Sequence, residues 1–125
     1  MAKKPKRDWL FIYDTAGDWF ATKIGDNIFD TRGEWVGFVE GSEVWTAAGE
    51  WIGKLHKDGR ILRKRAAPHH PLRKDVPPRP PKPDDLPARA PLPPMMASMT
   101  YDIIDVLEEE PDIFQRVSET RPDMD

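Results

Sequence analysis

Between Trp9 and Lys64 short apolar runs alternate with polar, glycine-bearing turns at a constant interval. Ile12-Tyr13-Asp14-Thr15-Ala16-Gly17-Asp18-Trp19 returns 16 residues later as Ile28-Phe29-Asp30-Thr31-Arg32-Gly33-Glu34-Trp35, and again as Val44-Trp45-Thr46-Ala47-Ala48-Gly49-Glu50-Trp51. Self-similarity at a fixed period marks a chain built from one repeated supersecondary unit. The runs are short, rich in β-branched and aromatic residues and bounded by turn formers, which predicts strands joined by tight turns. Asp14, Asp30 and Thr46 each stand three residues before a glycine. A side-chain oxygen at the first turn position accepts from amides further on, and glycine tolerates positive φ at the fourth, so each copy predicts a type I turn closed by a glycine bulge. After each Trp a strand runs to a second turn. Gly25-Asp26 and Gly41-Ser42 suit a two-residue type II′ hairpin, whereas Asp58-Gly59, following His56-Lys57, predicts a longer bulged turn.

Regrouped from each acid–Trp pair, the units are Asp18–Thr31, Glu34–Ala47 and Glu50–Lys64, with Asp8–Thr15 a shortened fourth copy that lacks its central turn. Two residues after each Trp of the long units stands Ala21, Gly37 or Gly53. Period-two alternation puts that small residue on the face of the Trp, and a missing side chain lets neighbouring backbones approach. The expectation is an all-β ring of about four hairpins spanning residues 9–64, with aromatic rings between them. The runs Gly33-Glu34-Trp35-Val36-Gly37-Phe38, Gly49-Glu50-Trp51-Ile52-Gly53-Lys54 and Asp58-Gly59-Arg60-Ile61-Leu62 resemble those of the 4-fold beta flower proteins of bacteria and phages. The resemblance covers about residues 9–64 and implies a small ring of four β-hairpins, often with a proline- and basic-rich tail. It implies a fold and no activity. The truncated copy at Asp8–Tyr13 departs from strict fourfold symmetry.

Composition divides the rest of the chain. Of 14 prolines, 11 lie between Pro68 and Pro94, so residues 65–97 read as a disordered linker that populates polyproline II. Lys74-x-x-Pro77-x-x-Pro80 and Pro77-x-x-Pro80-x-Lys82 match the form of ligands for aromatic-grooved domains, although a stiff solvated spacer generates such matches freely. Residues 98–118 predict a short acidic helix capped by Thr100, with Ile103, Ile104 and Leu107 as an apolar stripe that Ile113, Phe114 and Val117 continue. So short a helix is marginal alone, and its stripe needs a partner, either the β domain or another protein. The run Ile103–Val106 offers an alternative as an extended strand on a sheet edge. Residues 1–8 form a basic tail and residues 119–125 a disordered one.

Charge is distributed unevenly. Residues 1–76 carry 14 basic and 11 acidic side chains, and residues 98–125 carry two and nine. There is no cysteine, hence no disulfide or thiolate metal site. No apolar stretch approaches the roughly 20 residues that cross a bilayer, and the basic N-terminus leads into no apolar leader segment. A cytoplasmic protein is expected.

Catalytic material is sparse. Asp14 and Asp30 are explained as turn residues, His56 as a surface turn residue, and His69-His70 lacks the support an ordered metal site needs. No enzyme activity, cofactor or metal is expected. Two functions remain. The first is a protein-interaction module, with the ring as anchor and the proline-rich arm presenting a C-terminal acidic peptide. Its contacts to an unidentified protein partner would be Tyr101, Ile103, Ile104, Leu107, Ile113 and Phe114. The second is a nucleic-acid accessory protein using the basic segment 54–74, through Lys54, Lys57, Arg60, Arg63, Lys64 and Arg65, with aromatic rings nearby as stacking platforms. Pairing of that basic segment with the chain's own acidic tail is a third use of the same charges.

Overall fold

The computed structural model describes residues 9–67, 70–86 and 88–115. The strands are β1 (Leu10–Tyr13), β2 (Trp19–Ile24), β3 (Asn27–Asp30), β4 (Trp35–Glu40), β5 (Glu43–Thr46), β6 (Trp51–Leu55), β7 (Ile61–Lys64) and β8 (Ile103–Asp105), with one helical turn, α1 (Val106–Glu109). They form one antiparallel sheet in chain order, curled into a half-barrel. The repeat turns form as their side chains dictate. Gly17, Gly33 and Gly49 donate their N–H groups to the carbonyls of Asp14, Asp30 and Thr46 at 2.9–3.0 Å, with φ near +90° at each glycine. The Asp14, Asp30 and Thr46 side chains accept from the amides of Asp18, Glu34 and Glu50. At the β2–β3 and β4–β5 tips only Gly25 and Gly41 have positive φ, as a type II′ turn requires. The β6–β7 tip is the expected longer turn, with Gly59 N–H donating to the His56 carbonyl.

Just beyond each Trp the ladder slips by one residue. Tyr13 pairs with Trp19 but Ile12 with Ala21, Phe29 with Trp35 but Ile28 with Gly37, and Trp45 with Trp51 but Val44 with Gly53. Phe20, Val36 and Ile52 are therefore the extra residues of three β-bulges, and each bulge resets the alternation. Opposed residues share a face. The tryptophans go outward with Tyr13, Phe29 and Trp45, while Ala21, Gly37 and Gly53 go inward with Ile12, Ile28 and Val44. The expectation that Trp and the small residue share a face is corrected by this bulge. Crowding at the small residues does occur. A Cβ on Gly37 would strike the Trp45 carbonyl and lie 3.4 Å from the Phe114 ring, and one on Gly53 would lie 2.8 Å from the Leu62 carbonyl.

The inner face is closed by residues from outside the repeat. Ile12, Ile28, Val44, Ile52 and Ile61 form one core with Val106, Leu107, Ile113 and Phe114. The acidic helix expected over 98–118 is replaced by β8, the single turn α1 and a further turn at 111–115; residues 116–118 lie outside the described residues. The free edge of β7 explains the change. It pairs Leu62, Arg63 and Lys64 with Asp105, Ile104 and Ile103, a backbone ladder that a marginal isolated helix cannot match. Asp105, not Thr100, caps α1. Val106, Leu107 and Ile113 are at most 1% exposed, and burying each contributes about 1.5–3 kcal/mol. We call residues 103–115 the plug.

Among the described residues no ladder joins β8 to β1, the two ends of the sheet. Instead β1 is capped by the β6–β7 turn, where Tyr13 N–H donates to the Gly59 carbonyl at 3.1 Å. The Thr15 amide and hydroxyl both donate to Asp105 Oδ2 at 2.6 Å, tying β1 to the plug.

The proline-rich segment is not a free linker. Residues 77, 80, 83 and 86, then 90, 93, 96 and 99, are half-buried, and those between them in the described chain are exposed. That period of three is one face of a polyproline II helix laid against the sheet. It passes the repeat turns in reverse order, Arg73 against Gly49, Lys82 and Leu86 against Gly33, and Pro93 against Gly17. Tyr13 Oη donates to the Pro91 carbonyl at 2.7 Å, and the chain returns to β7 where Arg65 N–H meets the Asp102 carbonyl. This strap wraps the outer face, where Val76 and Leu86 pack against the rings of Phe29, Trp35 and Phe38. The tails 1–8 and 119–125 lie outside the described residues.

Candidate binding groove

The repeat pairs a large ring with each outward Trp at three junctions, Tyr13–Trp19, Phe29–Trp35 and Trp45–Trp51. At the fourth, Leu62 faces Asp105 across the ladder, and among the described residues no ring pair fills that sector. A groove of about 640 Å³ lies there, lined by Trp51, Leu55, Leu62, Ala66, Ala67 and Ile103, with Lys54, His56, Arg63 and Lys64 around it. Its floor is apolar and its charged groups are cationic. Lys54 is positioned by Glu43 at 3.7 Å and Arg63 by Glu110 at 3.6 Å.

The two sets of expected contact residues fare differently. Ile104, Leu107, Ile113 and Phe114 are buried in or against the core, because the sheet's own inner face is the nearest apolar surface. Ile103 is half-buried and lines the groove, and Tyr101 is 89% exposed. Of the basic set, Lys54, Arg63 and Lys64 surround the groove, and Lys57 is exposed on the adjoining turn. Arg65 donates to the Tyr101 carbonyl at 2.9 Å. A hydrogen bond from Thr100, seconded by the backbone and by the Lys64 and Arg65 charges, holds the Asp102 carboxyl below its ordinary pKa. The basic segment thus meets the chain's own acidic segment.

Arg60 is withdrawn from solvent altogether, 1% exposed. Its Nη2 donates to Asp58 Oδ2 at 2.7 Å and to the Ala97 carbonyl at 2.9 Å, and its Nη1 to Thr15 Oγ1 at 3.3 Å. It clamps the end of the strap to the β6–β7 turn and cannot reach a phosphate. Burial works against the Asp58 carboxylate, but the hydrogen bonds from Arg60 and His56 and the Arg60 charge outweigh it and hold the pKa low.

Asp14 and Asp30 are occupied in their turns. His70 stacks on Trp51 with ring centres 3.9 Å apart, and His69 lies outside the described residues. Among the described residues no group of three or more His, Asp or Glu is placed to hold a metal, and no helix is long and apolar enough to cross a membrane. Reading the sequence overlooked Leu55, Leu62, Ala66 and Ala67. The available signal was the loss of the aromatic position kept by Tyr13, Phe29 and Trp45: Ile61 stands 16 residues after Trp45, and the longer β6–β7 turn brings Leu62 into that place in the ladder.

The family model described as 4-fold beta flower protein covers residues 10–101, strap included. No curated protein and no solved structure matches.

Proposed function

The chain belongs to the 4-fold beta flower family, and from that premise we propose that it is a non-enzymatic protein-interaction module of the cytoplasm. Its docking surface is the groove at β6, β7 and β8, and its ligand is a segment of a protein partner that carries both apolar and acidic side chains. One observation carries this reading: an apolar floor of Leu55, Leu62 and Ile103 stands directly beside Lys54, Arg63 and Lys64. Apolar anchors in such a groove supply most of the docking energy, while the cations select against basic segments and speed encounter. Exposed Tyr101, held next to Arg65 at the same edge, extends the surface. The C-terminal stripe serves this platform as part of its core rather than as the presented peptide.

The test is a titration of a labelled peptide alternating Leu and Glu, with a Leu and Lys peptide as control. Lys54→Glu combined with Lys64→Glu should weaken binding of the acidic peptide at least tenfold and improve the basic one. A labelled single-stranded DNA that binds more tightly than either peptide, with strong salt dependence, and is lost in the same variant would replace this reading with the nucleic-acid one.

A further inference from the structure

The outer face of β3, β4 and β5 already holds one proline-rich segment, the chain's own. Phe29, Trp35 and Phe38 form an aromatic cluster there, against which Trp45, Val76 and Leu86 pack. The Arg73 guanidinium stands 5.2 Å from the Phe38 ring centre and 4.9 Å from that of Trp45. Aromatic surfaces that receive a preformed polyproline II helix are a general mode of peptide recognition.

The strap is an imperfect ligand for this face. Trp35 is 8% exposed, yet its indole N–H finds no acceptor among the described residues. A buried indole donor ordinarily has one, and leaving it unmet carries a desolvation cost. The fastenings of residues 76–86 are also weak. Arg79 and Lys82 reach Glu34 at 3.8 and 3.7 Å with all three side chains more than half exposed, and exposed pairs of this kind contribute little. Arg73, by contrast, is anchored by its N–H to the Gly49 carbonyl at 2.9 Å and by Glu40 at 2.6 Å.

We propose that this outer face is a polyproline-recognition surface, and that residues 76–86 lift from it, hinged at Arg73 and Pro91, to admit a proline-rich segment of a partner protein. The ligand carries prolines at every third position, as Pro77, Pro80 and Pro83 do, a cation to meet Glu34, and a carbonyl placed for the Trp35 indole. Polyproline II has no internal hydrogen bonds, so its carbonyls are open to such a donor. The tether gives the strap a high effective concentration, which keeps the face closed until a better ligand arrives. This inference is independent of the groove, which lies at β6–β8 and takes acidic segments.

The experiment titrates a labelled peptide of residues 74–86 into the full-length protein, wild type and two variants. Arg79→Glu with Lys82→Glu sets like charges against Glu34 and leaves the core untouched; Leu86→Asp removes an apolar anchor. Both should speed proteolysis within the strap and bind the peptide at least tenfold more tightly than wild type. A peptide with Gly at the three proline positions should bind at least tenfold more weakly. Failure of the charge-reversal variant to bind the peptide overturns the proposal, as does an unchanged proteolysis rate in both variants. Dimerisation of the variants without peptide binding assigns the face to a second copy's strap and overturns it equally.

Discussion

Two segments from outside the repeat cover the sheet, one on each face, and they do so by different physics. The plug buries Val106, Leu107 and Ile113 almost completely and adds a backbone ladder to β7. The strap sets one residue in three against the outer face and leaves the rest in solvent, Leu92 and Met95 above 90% exposed. Apolar burial stabilises roughly in proportion to the area removed from water, so the plug carries the larger share of the stability and the strap the smaller. The difference teaches why one end of the C-terminal half is part of the core while the proline-rich stretch can be a replaceable cover.

The hardest blow to this contrast falls on the plug. Leu107→Ala should cost about 2–5 kcal/mol, a large share of the roughly 5–15 kcal/mol that domains have in total. Leu107→Asp, adding a buried charge, should abolish cooperative unfolding in urea. A wild-type midpoint for either would place the plug outside the core.

Next comes the clamp where strap and sheet meet. Asp58→Asn leaves Arg60 buried without its counter-charge, a change that costs about 3–5 kcal/mol. The folded pKa of Asp58 is depressed. Its contribution is therefore complete above the unfolded value of about 3.9 and is lost as pH falls through the lower folded value. Stability measured from pH 7 to pH 2 should fall less steeply in the Asn variant than in wild type, and parallel curves would remove Asp58 from the acid limb.

Gly37→Val probes the contact of plug and sheet, since its Cβ meets the Trp45 backbone and the Phe114 ring. About 1–3 kcal/mol is expected from such overpacking, read from the shift in melting temperature. Adding Phe114→Ala should recover part of the loss by opening space; strict additivity of the two changes would deny that they meet.

The smallest effect belongs to the strap. Leu86→Ala removes half-buried methyl groups and should cost about 1 kcal/mol or less, while still accelerating proteolysis between residues 76 and 90. A loss as large as that of Leu107→Ala would erase the distinction between the two covers.

What the chain states locally, it states clearly. Asp14, Asp30 and Thr46, each with a glycine three residues on, fold their turns through contacts within five residues, so the repeat and its hairpins were legible without any tertiary information. The bulges at Phe20, Val36 and Ile52 were not, because the Trp-x-Gly spacing is compatible with plain alternation until a partner strand sets the register. The groove was half legible. Its cations stood out as a basic segment, but which of them face outward depends on Asp58 and Thr15 taking Arg60 inside.

The fate of the C-terminal half was decided by the folded sheet alone. Ile103, Ile104 and Leu107 satisfy a helical stripe and a strand almost equally well, and proline-rich sequence takes the same polyproline II form in solvent or against a protein. Only the curled sheet distinguishes these states. Its inner face is too large for the repeat's own side chains to fill, its β7 edge is open, and its outer face bears rings in need of cover. Turn chemistry acts over a few residues and is written in each copy, whereas the plug and the strap answer to surfaces that exist only after the hairpins have closed.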